Sequence, residues 1–527
     1  MRRTTLRVFR AALHALFAMR GDLRGGQVLL VENSPQHERG MRMAAPAWRT
    51  RCALVTVFSV MSLAGIDQYI VATVLPQIAG SFGELRHLPW LVTAFVTASA
   101  VTAPLYGRLS DLYGRRAMLA SAVVIFLIGS ILCGLASSLP QLAVFRAVQG
   151  LGAGGLIPLG QASLADVLTG RARARWQGVF SSVFAICSVA GPVLGAAITR
   201  QWGWRWIFLV NVPFGVLSVV AILALLPREM PATRKPLRLA GVAWLMGALV
   251  GVQGLLSAQP SWLRHHPILA GCAASSTVCC ISLLVRDERR ADSPLFPAGH
   301  TRFYLAGLIL TFAYISISAC AVFLPLEFQT LFKYSPLWAG LVVSPMMMGV
   351  VAGSVIGGQI IAYTGKFRQI VLAGLASMTL GYVIMAGCTF LEREPEAIEA
   401  GVVLVGVGIG CLVPNLTSLV QETVERASLG TATSGLVLAR SLGSSLGAAL
   451  AGLIFMTFAS GLSEALPDQG FERWHDQLGP GHKSLQTVSR SPSMAFGTIQ
   501  LLSAIASALA LLAATRITDP SSKEEWE

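Results

Sequence analysis

The sequence predicts an all-α integral membrane protein, and three observations carry that prediction. Only 13% of its 527 residues are charged, about half of the ~25% usual in a soluble domain, while 54% are hydrophobic and the mean hydropathy is +0.64. Apolar runs long enough to cross a bilayer, about 20 residues each, recur along the chain. The basic residues also sort by side. With the N-terminus placed inside, residues 1–51 hold 10 Lys and Arg and the short inside loops 17, against 9 in the outside loops. That is the bias that orients membrane proteins. The net charge of +14 is therefore a topology signal and implies no nucleic acid.

Fourteen runs are read as spans, at residues 51–73, 89–107, 117–136, 141–165, 177–198, 207–227, 239–257, 267–285, 303–330, 336–362, 368–390, 396–418, 430–459 and 494–515. Residues 1–48 are basic and Arg-rich, without the continuous apolar core or cleavage site of a signal peptide. They are expected to form a disordered cytosolic tail, with Met41 or Met43 as alternative starts. Residues 49–228 then hold a first six-helix half, and 229–300 two additional helices with their loops. Residues 301–515 hold a second six-helix half with a polar outside loop at 460–493, and 516–527 a cytosolic tail. Both termini are expected on the cytoplasmic side of the cell inner (plasma) membrane. "GGQIIAYTGKFR" (357–368) echoes the glycine-basic layout of "GRLSDLYGRR" (107–116) at the matching inside loop, and parallel halves of this kind mark transporters.

The nine cysteines fall in apolar runs with no C-x-x-C, which reads as small buried hydrophobes rather than a disulfide framework or a zinc site. His265 and His266 are adjacent rather than spaced as ligands, so no metal is expected. No G-x-x-x-x-G-K-[ST] occurs, so nothing points to ATP drive, and no cofactor is expected. No convergent His, Cys or carboxylate set and no sizeable soluble domain suggest an enzyme.

The decapeptide 107–116 concentrates charge in a tight inside loop. Gly107 and Gly114 allow close approach and unusual turn geometry. Asp111 is placed to pair with Arg115 or Arg116, or to sit at a helix N-terminus. Inside-loop bias alone explains the arginines. It does not explain the aspartate between two glycines.

"GRLSDLYGRR" resembles the loop signature of the major facilitator superfamily at essentially every position. "RAVQGLGAGG" (146–155) resembles the family's fourth-helix motif through Arg146, Gln149 and Gly150. "GVFSSVFAICSVAGPVLGA" (178–196) resembles its fifth-helix antiporter motif through Gly178, Gly191, Pro192 and Gly195, with Cys187 and Ala196 replacing two glycines. "GIDQYIVATVLP", "WRWIFLVNVPFG" and "GTATSGLVLARSLGSSLGAALAG" resemble the fourteen-span drug:proton antiporter branch, so that the likeness covers roughly residues 50–515. The resemblance implies a cytosolic latch between two halves at Asp111 and its arginines, and a direction of transport outward from the Gly191-Pro192 motif. It also implies proton coupling at Asp67 and Arg146, a substrate and protons as partners, and periplasmic adaptor and outer-membrane channel proteins as further ones.

An acid within a span is costly and functional by default, which singles out Asp67; the alternative is a structural acid satisfied by its neighbours. Tyr69 stands where the family usually has threonine. Arg146 lies one turn into its span with Gln149 on the same face, so it needs an interior partner unless it snorkels to the outer interface. Glu327 in "FLPLEFQ" replaces a usual aromatic, and is read as a contact for a cationic substrate, a second proton site, or a solvated mouth residue. Arg440 lies deep in its span; Gln329, Asn415, Gln421 and Glu422 are further polar candidates, and Asp166 is expected to pair near Arg171, Arg173 and Arg175. The expected function is proton-coupled export of hydrophobic or cationic small molecules by alternating access. The alternative is a dedicated exporter of one metabolite, siderophore or toxin on the same scaffold.

Overall fold

A computed structural model describes residues 47–82, 88–168, 170–226, 239–257, 266–290, 300–334, 342–425, 428–463 and 491–519. The expected N-terminal tail, most of the loop 460–493, and His265 lie outside the described residues. The described chain is helical throughout. In order it forms α1 (Ala47–Phe82), α2 (Leu88–Tyr113), α3 (Arg115–Gly134), α4 (Leu139–Val167), α5 (Gly170–Trp202), α6 (Trp206–Leu209) and α7 (Asn211–Leu225). There follow α8 (Leu239–Ser257), α9 (Pro267–Arg290), α10 (Thr301–Thr330), α11 (Ser344–Thr364), α12 (Phe367–Phe390), α13 (Pro395–Thr423), α14 (Leu429–Ser463) and α15 (Ser491–Ala514).

Helix is what such sequences must form in lipid, because it pairs every backbone polar group within the segment. Local signals set the ends. Ser138 caps α4 by accepting from the Gln141 amide, and prolines open the first turns of α4, α11 and α13. Gly114 (φ 90°) separates α2 from α3, and Gly365 (φ 68°) ends α11, so the two echoing loops both turn on a left-handed glycine.

A helix lies at each of the fourteen expected runs. Among the described residues, eleven helices are long and apolar enough to cross a membrane. The expected spans 89–107 and 177–198 lie on α2 and α5, which are not among those eleven, and 239–257 is a shorter apolar helix at Ala240–Leu255. Part of each helix lies outside the residues whose side chains are described, so the full runs 89–107 and 177–198 do not enter that count.

The helices pack as two bundles. α1 to α4 and α7 share one core, around Val60, Tyr106, Phe126, Leu156 and Ile222. α10 to α15 share another, around Leu310, Met378, Tyr382, Leu416 and Leu436. The bundles meet reciprocally, α2 on α14 and α5 on α11. α8 covers this seam, inserting Leu245 and Leu249 between Val101 of α2 and Leu438 of α14. α9 packs mainly on α8, so its outer face is bare. That corrects the expectation of uniformly buried cysteines. Cys272 and Cys279 on α9 are exposed, where Cys133, Cys187 and Cys320 are buried.

Candidate functional site

The charges singled out in the sequence fall into three arrangements in the structure. Asp67 of α1 and Arg146 of α4 are 1% and 3% exposed and meet at 3.0 Å, Nη1 to Oδ2. The other carboxylate oxygen, Oδ1, accepts from Gln149 Nε2 at 2.9 Å and Asn211 Nδ2 at 2.8 Å. Arg146 Nη1 also donates to Gln149 Oε1 at 2.6 Å. Ser130 of α3 closes the network, accepting from both amides and donating to the Phe208 carbonyl at 3.0 Å. The guanidinium lies 4.0 Å over the Phe95 ring, a cation–π contact on its remaining side.

This arrangement follows from local sequence. Arg146 and Gln149 are three apart and share one helix face. The chain breaks between α6 and α7, which brings Asn211 to the start of a helix and turns its side chain inward. Gly150 lets α4 approach α2, since a Cβ there would meet the Phe95 carbonyl at 2.5 Å. Arg146 thus has an interior partner and does not snorkel. Ser130, Asn211 and Phe95 were not singled out from sequence, although Asn211 lies in the stretch "WRWIFLVNVPFG".

Chemically, the pair is neutral as a unit. A buried acid and base satisfy each other, whereas removing one charge leaves the other uncompensated, at a cost of about 3–5 kcal/mol. Proton binding at Asp67 would cancel one of the two charges and loosen the Arg146 contact.

The second arrangement is Asp111, at the end of α2. Its Oδ1 accepts from the Gly430 amide at 2.9 Å, and its Oδ2 from the Thr431 amide at 2.8 Å and hydroxyl at 2.6 Å. These are first-turn donors of α14, so an aspartate of one bundle caps a helix of the other, where the helix dipole favours an anion. Close contact is possible because both facing positions are glycine. A Cβ at Gly107 would collide with Ser434 and the Gly430 carbonyl, and one at Gly430 with Ser110 and Asp111.

The arginines are divided among the neighbours. Arg115 pairs with Asp111 at 3.4 Å and with Asp166 of α4. Arg116 donates to the Leu223 and Leu226 carbonyls at the end of α7. Asp166 therefore pairs with Arg115; the side chains of Arg171, Arg173 and Arg175 lie outside the described residues.

At the same end of the molecule, Gln421 of α13 binds the first bundle. It accepts from Gln177 of α5 at 3.1 Å, and donates to the Gln161 carbonyl of α4 at 3.3 Å. Gly178 faces the Ser354 backbone of α11, where a Cβ would collide. Gly191 packs on Tyr69, and Gly195 is buried; the Pro192 side chain lies outside those described, and α5 runs through it as continuous helix.

The third treatment belongs to Glu327 and Arg440, which lie apart from the Asp67 network. Glu327 of α10 is 1% exposed, with Oε1 accepting from the Thr389 hydroxyl of α12 at 2.6 Å and Oε2 from Gln500 Nε2 of α15 at 2.7 Å. α12 and α15 pack only within the second bundle, so this carboxyl faces away from the seam. Below it the same helices carry Ser316 and Ser503, which donate reciprocally to each other's carbonyls. Arg440 of α14 donates to the Thr417 hydroxyl at 2.6 Å, and its buried Nε has no partner among the described residues. Tyr314 of α10 lies within electrostatic reach of both Arg440 and Tyr69. Gln329 and Asn415 bond to carbonyls of their own helices, and Glu422 is half-buried at the end of α13. Among the described residues, no three His, Cys, Asp or Glu cluster as metal ligands would.

Comparison with known proteins agrees with this architecture. A family model described as Major Facilitator Superfamily matches residues 57–448. The chain is 30% identical over 416 residues to multidrug transporter protein MdtP of Bacillus subtilis, covering 77% of this chain and 75% of that one. It is also 30% identical over 396 residues to multidrug resistance protein 3 of the same organism, covering 74% and 77%. Among solved structures, the human organic anion transporter MFSD10 superposes with a TM-score of 0.64 at 17% identity, covering 89% of this chain and all of that one. With matches along three quarters of its curated relatives and a shared fold, this chain belongs to the Major Facilitator Superfamily of multi-pass membrane transporters.

Proposed function

We propose that the protein is a proton-coupled antiporter that exports hydrophobic or cationic small molecules, with Asp67 as the proton-coupling carboxylate. The observation that carries this reading is the buried Asp67–Arg146 pair at 3.0 Å, a charge pair that a single proton would unbalance. Supporting it, two relatives at 30% identity bear multidrug names. In this reading the chain crosses the inner membrane fourteen times, with both termini cytoplasmic. Residues 49–228 and 301–515 rock about the extra pair within 229–300. Protonation of Asp67 frees Arg146, repacks α1 against α4, and releases the contacts of Asp111 with Gly430 and Thr431 that close the cytoplasmic end.

The test is transport by purified protein in proteoliposomes, reading interior pH against a panel of substrates. Substrate-dependent proton flux that disappears in Asp67→Asn supports the reading. Full proton-coupled efflux in that variant removes Asp67 from the mechanism. A second reading is a dedicated exporter of one metabolite, siderophore or toxin. It draws on Arg440, a guanidinium within electrostatic reach of Tyr314 that would suit a ligand with an anionic group. One narrow hit in the panel, against broad efflux, selects it.

A further inference from the structure

Glu327 is a buried carboxyl for which the described residues offer no cation. It is 1% exposed, and its two hydrogen-bond partners, Thr389 and Gln500, are neutral. Asp67 differs at this point: its partner Arg146 is permanently charged and can only donate. The charged and titratable groups on the helices around Glu327 all lie elsewhere or are neutral. α10 itself contributes Cys320, two turns below, and the exposed Lys333 follows its end; α12 contributes Cys388, next to Thr389 in sequence, and Tyr382, two turns below it. α15 contributes only Gln500 and serines at this level. α14 brings Arg440, but the α10 group within its electrostatic reach is Tyr314, thirteen residues or ~20 Å of helix from Glu327. Glu396 and Glu399 of α13 lie near Tyr334, and Glu392 and Arg393 are exposed between α12 and α13.

Both partners can serve either protonation state. Gln500 Nε2 donates to the carboxylate, while Gln500 Oε1 is buried with no partner. If Glu327 takes a proton, its new O–H donates to that oxygen once the amide rotates. Thr389 continues to donate to the other carboxyl oxygen. The free Gln500 oxygen then gains a donor and the uncompensated charge is gone, in exchange for the bond from Nε2.

We propose that Glu327, with Thr389 and Gln500, is a proton-binding site of the second bundle, separate from the Asp67–Arg146 pair of the first. The step is a simple protonation: water releases a proton, an O–H bond forms on Glu327, and nothing is oxidised or reduced. The site is sealed within one bundle and sits near the outer end of α10, so it loads when that end opens.

The experiment measures proton binding rather than transport, so it does not depend on the antiport reading. Purified full-length protein in detergent is titrated with a pH indicator, comparing wild type, Glu327→Gln, Asp67→Asn and the double variant. Glutamine matches the protonated acid in shape, and its amide can donate to the free Gln500 oxygen, so Glu327→Gln is expected to fold. The expected result is one fewer proton bound per protein in Glu327→Gln, and the same loss again in the Asp67→Asn background. Infrared difference spectra of wild type should gain a protonated-carboxyl band on acidification that Glu327→Gln lacks. Equal proton uptake by wild type and Glu327→Gln, or a carboxyl band unchanged by the mutation, overturns the proposal. Loss in Asp67→Asn without loss in Glu327→Gln leaves the proposed function standing and removes this one.

Discussion

Asp111 and Thr431, which lie 320 positions apart in sequence, share two hydrogen bonds: the Thr431 amide at 2.8 Å and hydroxyl at 2.6 Å both donate to Oδ2. One bundle thus supplies the N-terminal cap of a helix in the other. Bonds to an ionised group are worth about 1.5–3 kcal/mol each, so the contact is strong enough to hold a face shut and weak enough to be reversed in a transport cycle.

The first prediction concerns this cap. Asp111→Ala removes the acceptor of three bonds and should shift the equilibrium toward opening of this end by at least the worth of one such bond, about 1.5–3 kcal/mol. Ser434 is fully buried beneath it and supplies the reporter. A Ser434→Cys thiol should react slowly with a polar maleimide in the parent chain, and at least tenfold faster when Asp111→Ala is added. Equal protection in both would remove Asp111 from the closing contact.

Gly107 gives an independent handle on the same face. Alanine there drives a methyl group into Ser434 and the Gly430 backbone, neither of which is the end of a flexible chain. Gly107→Ala should open the Ser434→Cys reporter as Asp111→Ala does, with the Asp111 carboxylate intact. Both variants should insert normally, as judged by detergent gel filtration.

The buried ion pair predicts a different pattern. Asp67→Asn leaves Arg146 charged without a counter-ion, and should lower stability by about 3–5 kcal/mol. Adding Arg146→Gln removes the stranded charge and should restore much of that loss, while transport stays absent in both. Thermal unfolding in detergent measures the first effect, and proton-driven efflux the second. A double variant no more stable than Asp67→Asn would show that the pair is not coupled.

What could be read from sequence was what stands out chemically. Asp67, Arg146 and Asp111 are charges in apolar surroundings, and the resemblance of 107–116 and 146–155 drew attention to them. Ser130 and Asn211 complete the Asp67 network but are small neutral side chains. Helices tolerate these without penalty, because a hydroxyl or amide can bond to its own backbone. The direction of Glu327 was not readable for another reason. α10 is apolar on every face, since one side meets lipid and the other meets protein, so no polar stripe marks which side turns inward. Position along the helix suggested a solvated mouth, and only packing shows a sealed interior. The cap on α14 was hidden by distance, since nothing in "GRLSDLYGRR" names Gly430 or Thr431 as its counterpart.

Gln421 provides a contact between bundles that carries no charge. It accepts from Gln177 of α5 and donates to Gln161 of α4 and Thr433 of α14. A double-mutant cycle of Gln177→Ala and Gln421→Ala should return a coupling of about 0.5–1.5 kcal/mol, the range of a neutral hydrogen bond. The cycle is read from labelling of the Ser434→Cys reporter. Additive effects would place the two side chains in separate steps.

The last prediction turns on Arg440. Its guanidinium is held by the Thr417 hydroxyl, its Nε lacks a partner among the described residues, and Tyr314 lies within electrostatic reach. A cation so placed should favour any transported molecule that offers an anionic group at this depth. Arg440→Gln keeps a donor for Thr417 but removes the charge. Efflux of a carboxylate-bearing dye should fall about 10–100-fold relative to its neutral methyl ester, the equivalent of one charge-assisted bond at about 1.5–3 kcal/mol. Arg440→Lys keeps the charge on a differently shaped head and should fall between the two. Parallel loss of ester and acid would instead make Arg440 a packing residue of α13 and α14, and would leave the seam without a charge preference of its own.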